Sequence, residues 1–459
     1  MFSGPGGSVA LAEAVRSHDL SVIDAAGSTA ACLMAAVTGE LDDAPGAAIV
    51  SVVDGVTAVV AGAAHATRDR APVIIVSDGA AEARLLDPVT KASLVADATS
   101  AAHWIAHAAQ LAMAVPRGAV HLAVRDAVVR SPALPLATSC RRPPMPVPLP
   151  SVLDALGDAI ATASRPIIVT GLEIDANDAK WVRALAESLP APVLATPKGK
   201  GAMPDPHPLA LGLLTAGHPL GSRADLIVAL GVDPVEVSPG AWPSGIPTVH
   251  VSGAAATGGL DQLVLEVVGD IGLVIEELAP HLRGRTRADW DVAQLDRLKR
   301  ALSTLPPAAP YLTRRRVVAL VREATPAGTI ATLDAPFADV WQSVAPRELL
   351  IPNGVATAGF ALPAAIAAAI ARENVRVVAI GGAPGVAAMA GELSTIARVG
   401  LPIVVVAFDQ EGTATAVTEA ARDARVATAL AESEEAFAAA FARAWTTARP
   451  ALIIAGVRG

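Results

Sequence analysis

Two glycine-bearing turns, each at the end of a run of apolar and mostly β-branched residues, hold the side chains best placed to do chemistry. Val377-Val378-Ala379-Ile380 runs into Gly381-Gly382-Ala383-Pro384-Gly385, and Ile403-Val404-Val405-Val406-Ala407-Phe408 runs into Asp409-Gln410-Glu411-Gly412. A strand that stops at consecutive glycines lets a ligand approach the backbone, and a helix starting there aims N–H groups at a phosphate. Pro384 lacks an N–H and removes one of those groups. No Lys-Ser or Lys-Thr follows the glycines, so the run is not a P-loop.

Other candidates are sparser. Asp54 before Gly55 is a turn signal first and a candidate acid second. Lys198-Gly199-Lys200-Gly201 reads as a solvated loop or as a nucleotide contact. His103 and His107, four apart on a predicted helix, share a face without a third ligand and read as a packed or surface pair. Cys32 and Cys140, the two cysteines, make neither a disulfide framework nor a zinc site.

The elements that must carry these residues form three blocks. A chain of 459 residues, 53% hydrophobic and 17% charged, is too long for one core. Short β-branched runs alternate with alanine-rich helical stretches, which predicts parallel sheets wound with helices, α/β in class. Strands are expected at 47–53, 72–77 and 119–124, then at 166–170, 192–195, 226–230 and 248–251, and finally at 329–333, 376–380, 402–408 and 451–454. Proline clusters at 140–150 and 305–311 read as linkers, giving domains 1–140, 151–305 and 311–459. A net charge of −9 gives no basic surface for nucleic acid. Mean hydropathy is +0.48, but the longest apolar run, Val355 to Ala371, contains Pro363 and precedes a buried strand, so a core helix is expected rather than a membrane span. Residues 1–7 lack the pattern of a signal peptide, and the expected location is cytoplasmic.

Together, the strand, glycine turn, helix and second strand of 377–412 resemble the cofactor motif of the thiamine diphosphate (ThDP) enzymes, in particular the acetolactate synthase-like branch. The likeness extends along most of the chain. It includes Pro45-Gly46-Ala47-Ala48-Ile49-Val50, Arg70-Ala71-Pro72-Val73-Ile74-Ile75, Thr196-Pro197-Lys198-Gly199-Lys200-Gly201, Ala224-Asp225-Leu226-Ile227-Val228-Ala229-Leu230-Gly231 and Gly359-Phe360-Ala361-Leu362-Pro363. The resemblance implies pyrimidine-binding, central and diphosphate-binding domains, each doubly wound around a parallel sheet. It also implies ThDP with Mg²⁺, and FAD or a nucleotide in the central domain of some relatives. Phe2 to Gly7 matches the turn after the family's first strand, so the first domain reads as lacking the preceding helix and strand, which leaves a sheet edge open. The stretch after Gly412 reads as shortened.

Against that pattern, the resemblance places Gly382, Ala383, Pro384, Gly385 and Gly55 at cofactor-binding positions, with Gln410 and Gly412 at metal-binding positions. Ala383 stands where the metal-binding Asp belongs. Ser28 stands where the family's catalytic Glu protonates the aminopyrimidine ring, and a hydroxyl cannot serve as that acid near neutral pH. Ser28 reads alternatively as a helix N-cap. Asp409 or Glu411 is a candidate replacement ligand, or simply a solvated charge. The expectation is a degenerate member acting as a subunit, binding protein or repurposed enzyme. The alternative is an active ThDP-dependent lyase or carboligase on 2-oxo acids. A homodimer or homotetramer is expected, or pairing with a related subunit, with a small-molecule ligand in the cleft between domains.

Overall fold

The computed structural model describes residues 1–42, 44–52, 55–79, 82–133, 139–284, 288–302, 311–334, 336–353, 357–410 and 412–458, with the backbone alone at 82 and 83. The first sheet contains β1 (Phe2–Ser3), β2 (Ile23–Asp24), β3 (Gly46–Val50), β4 (Val73–Ser77), β5 (Ala92–Val95) and β6 (Ala119–Ala123) in the order β2-β1-β3-β4-β6-β5. The second contains β7 (Pro166–Thr170), β8 (Val193–Ala195), β9 (Ala210–Leu213), β10 (Leu226–Leu230), β11 (Thr248–Ser252) and β12 (Leu263–Val268) in the order β12-β11-β10-β7-β8-β9. The third contains β13 (Ile330–Leu333), β14 (Leu349–Leu350), β15 (Val377–Gly382), β16 (Val404–Asp409), β17 (Ala427–Ala431) and β18 (Ala451–Gly456) in the order β14-β13-β15-β16-β18-β17.

All of the named strand pairings are parallel. Inner strands such as β4 and β10 are buried along their whole length, as helices on both faces of a parallel sheet require. Phe2 pairs with both Ile23 and Ala48, so β1 is internal and the two-residue β2 is the outer strand on that side of the first sheet.

One apolar core joins the first and third sheets. Helix Ser28–Leu41 packs on helix Ala361–Ala371, and residues 30–37 and 361–368 are buried. The run containing Pro363 is therefore a core helix, as expected. Pro363 is the third helical residue, where a missing N–H removes no intrahelical bond. Small residues allow the close approach: a Cβ on Gly46 would lie 1.8 Å from the Ala35 carbonyl oxygen. The 140–150 segment carries no regular secondary structure before the helix that starts at Pro150, and most of it is exposed. Among the described residues, no helix is long and apolar enough to cross a membrane.

Candidate functional site

The glycine turn lies at the carboxyl end of β15, where the strand register sets Gly382 beside Phe408 of β16. Ala383 and Pro384 begin a short helix, Ala383–Ala388, behind the N-cap Gly382, and no side chain caps it. The Ala383 methyl is completely buried. Asp334, just past β13, packs against the turn. A Cβ on Gly381 would sit 2.7 Å from its Oδ2, and one on Gly385 would sit 3.2 Å away. Asp334 Oδ1 accepts the Ala361 N–H at 2.6 Å. Its Oδ2 is buried with no hydrogen-bond donor in good geometry among the described residues, and burial pushes the carboxyl up to about 7. The sequence reading missed Asp334, although an acid at the end of a buried strand is a usable signal.

Gln410 follows β16, and its amide oxygen accepts a bond from Arg314 Nη2. Asp409 Oδ1 accepts from Thr413 Oγ1 at 2.9 Å, and Gly412 has a left-handed φ of 78°. Glu411 lies outside the described residues. The turn thus presents a methyl at Ala383 and an amide oxygen already bound to a guanidinium. Of these groups the methyl offers a metal no donor, and the amide oxygen, a hard donor by type, is already engaged. Among the described residues, no cluster of three or more His, Cys, Asp or Glu could hold a metal.

Ser28 is the first residue of helix Ser28–Leu41, and the N-cap is Gly27 in extended backbone. The capping role expected for Ser28 is therefore corrected, because the chain turns into the helix one residue earlier. Ser28 is nearly buried against Gly4, on which a Cβ would lie 2.9 Å from Ser28 Oγ. From the third domain, Glu392 Oε1 accepts the Ala26 N–H at 2.8 Å, while Oε2 is buried with no hydrogen-bond donor in good geometry among the described residues. Burial raises the Glu392 carboxyl above its ordinary range. Within one chain Ser28 thus meets Gly4, and the loop before it meets Glu392, whereas Gly381 and Gly385 meet Asp334 and Gly359. Gly55 is the N-cap of helix Val56–Arg68. Val53 and Asp54 lie outside the described residues.

Lys198 overturns the solvated-loop reading. Its Nζ lies 2.8 Å from Glu40 Oε2 and 2.8 Å from Asp69 Oδ2, with the three side chains 7%, 13% and 0% exposed. Asp69 Oδ1 also accepts the Asn353 N–H at 2.8 Å. The cluster thus ties the first domain to the central one through Lys198 and to the third through Asn353. Burial pushes both carboxyls up, while the paired carboxylates hold Lys198 protonated above its ordinary value. Beside them His65 is buried, and desolvation lowers it to about 3, so it is neutral. Lys200 is likewise used, 2.7 Å from Asp205 Oδ2.

A cavity of about 360 Å³ opens next to this cluster, with Lys198, Arg70, Arg117, Glu173, Trp181 and Arg347 among its walls. Arg70 is held by Asp233, with Nε 2.6 Å from Oδ2. His103 and His107 stack with ring centroids 6.1 Å apart on helix Ala101–Met113. They share a face as expected, and His103 is exposed.

Three family models match the chain: "Thiamine pyrophosphate enzyme, N-terminal TPP binding domain" over residues 1–101, "central domain" over 153–278 and "C-terminal TPP binding domain" over 331–419. An acetolactate synthase of Bacillus subtilis (strain 168) is 26% identical, over 89% of this chain and 78% of the relative. An acetolactate synthase large subunit of Parasynechococcus marenigrum (strain WH8102) is 31% identical, but the match covers 56% of this chain and 45% of that protein. The fold superposes on the thiamine diphosphate-dependent 4-hydroxybenzoylformate decarboxylase of Rhodococcus jostii RHA1. The TM-score is 0.81 and the identity 20%, over 100% of this chain and 96% of that one.

Proposed function

Because the chain belongs to the thiamine diphosphate enzyme family, with acetolactate synthase-like relatives, we propose that it is a member that has kept the fold and lost Mg²⁺–ThDP catalysis. It acts as a ligand-binding protein or subunit, with a small molecule in the cavity where the three sheets meet. One observation carries this reading: Ala383 contributes a buried methyl and the Gln410 oxygen is bound to Arg314. Ser28 supports it, since a hydroxyl cannot replace the carboxylic acid that activates ThDP in the family. The mixed charge of the cavity walls suits a polar ligand that carries both acceptor and donor groups.

In this reading the chain works in the cytoplasm as a homodimer or homotetramer, or paired with an intact relative. Isothermal calorimetry with ThDP and Mg²⁺ tests it. The expected result is no saturable heat at tens of micromolar protein. Micromolar binding would instead support the second reading, an active lyase or carboligase on 2-oxo acids, which the named relatives favour.

A further inference from the structure

The strap formed by residues 142–149 crosses the central domain between two empty spaces. On one side lies the cavity of about 360 Å³ described above, which Arg142 and Met145 help to wall. On the other lies a groove of about 480 Å³ between the strap and helix Ile271–Leu282, lined by Pro146, Val147, Leu153, Val274 and Glu277 among others. Close-packed interiors leave a wall no room to shift. This wall has room on both faces.

The strap is also lightly held. Pro143, Pro144, Pro146 and Pro148 have no N–H to donate, and among the described residues no hydrogen bond ties the backbone of 142–148 to any domain. The ties begin at its ends, where Gln110 Nε2 donates to the Ser139 carbonyl at 2.7 Å and the Leu149 carbonyl accepts the Val152 N–H at 2.9 Å. Between them the strap rests on two glycines. A Cβ on Gly253 would lie 2.8 Å from Met145 Cε, and one on Gly269 would lie 2.9 Å from Pro148 Cγ. One ion pair adds to these contacts, Arg142 to Asp270 at 3.7 Å with both side chains 35% exposed, and such a pair holds weakly. Val147 on the strap is 89% exposed and Leu273 on the facing helix 60%. Withdrawal of the strap into the groove would bury both, which offsets the loss of the Met145 contact. A proline-rich segment moves as a semi-rigid piece about its ends.

We propose that the strap is a gate with two positions. In the position seen, Met145 covers Gly253 and the Arg142–Asp270 pair is the latch. In the other, the strap lies in the groove and the cavity is open to a ligand. The gate rests on the preceding reading in one respect, that this cavity receives a small molecule.

Thiol modification of the full chain tests it. Cys140→Ser removes the exposed thiol and Cys32 is completely buried, so Leu172→Cys places one reactive thiol on the cavity wall. Its rate with N-ethylmaleimide, followed by mass spectrometry, reports the open fraction. The expected rate is at least about tenfold below that of the urea-unfolded chain. Arg142→Gln should raise it about twofold to fivefold, as should Asp270→Asn, which keeps a cap for the Leu273 N–H. Glu277→Trp, which fills the groove from an exposed helix position, should lower it. About 0.5 M salt should accelerate the parent and leave Arg142→Gln unchanged. A folded rate equal to the unfolded one, no change in Arg142→Gln, or no change in Glu277→Trp would overturn the gate. Where circular dichroism shows that Leu172→Cys does not fold, tryptic cleavage after the exposed Arg141 decides: the same ranking of variants supports the gate and equal rates refute it. Neither assay contains a ligand, so failure here leaves the reading of the cavity as a ligand site standing.

Discussion

Replacing Lys198 with methionine removes the one cation between two buried carboxyls while leaving most of the side-chain volume. Nζ is 2.8 Å from both Glu40 and Asp69. Breaking a buried ion pair by deleting one partner costs about 3–5 kcal/mol, because the remaining charge is stranded. Two features reduce that figure here. Asp69 keeps the Asn353 N–H, and either acid escapes part of the cost by taking up a proton.

That escape gives the loss a definite pH dependence. Both carboxyls already have folded pKa values above their ordinary values of 4.5 and 3.8, and removing the ammonium raises them further. The folded state then binds more protons than the unfolded state, so stability falls as pH rises from about 4 through the folded values. Urea unfolding followed by tryptophan fluorescence should show a loss of about 3 kcal/mol at pH 8 and about half that at pH 5. The same transition reports separation of the domains, since the cluster has members from all three. A loss below about 1 kcal/mol at pH 8, or a larger loss at pH 5 than at pH 8, would refute the picture of a buried clamp.

Two other perturbations probe the surroundings of the site. Asp334→Asn keeps an acceptor for the Ala361 N–H and removes a carboxyl whose folded pKa is about 7 against an ordinary 3.8. Wild-type stability from this group is present below about 4 and is lost as pH rises through 7, so melting temperatures should shift in the variant's favour across that window, and parallel curves would contradict the burial argument. Gly46→Ala would drive a methyl to 1.8 Å from the Ala35 carbonyl oxygen. Overpacking of backbone against backbone should cost about 3 kcal/mol or more, visible as a lower urea midpoint, and a neutral result would mean that the helix moves away freely.

The eleven strands expected from the sequence all formed, and the misses follow a rule. Six of the seven unexpected strands, β2, β5, β9, β12, β14 and β17, are the outer strands of the three sheets. An inner parallel strand is covered on both faces and writes a continuous apolar run, as Val404 to Phe408 does. An edge strand is short or half exposed: β17 reads Ala427-Thr428-Ala429-Leu430-Ala431 and only Ala431 is buried. Its pairing is decided by the neighbour rather than by its own composition. The seventh, β1, has two residues and gains its identity from partners on both sides.

At the site the same division holds. That Ala383 supplies no metal donor and Ser28 no carboxylic acid is fixed by residue type, and the sequence alone determined it, together with the parallel α/β class. What no local pattern carried was who meets whom across long separations. Arg314 reaches Gln410 96 residues away, Lys198 reaches Glu40 158 residues away and Glu392 reaches Ala26 366 residues away. Periodicity and turn chemistry report which face of an element is apolar, over a window of a few residues. Pairing of charges depends on how whole domains dock, and only the folded chain decides that.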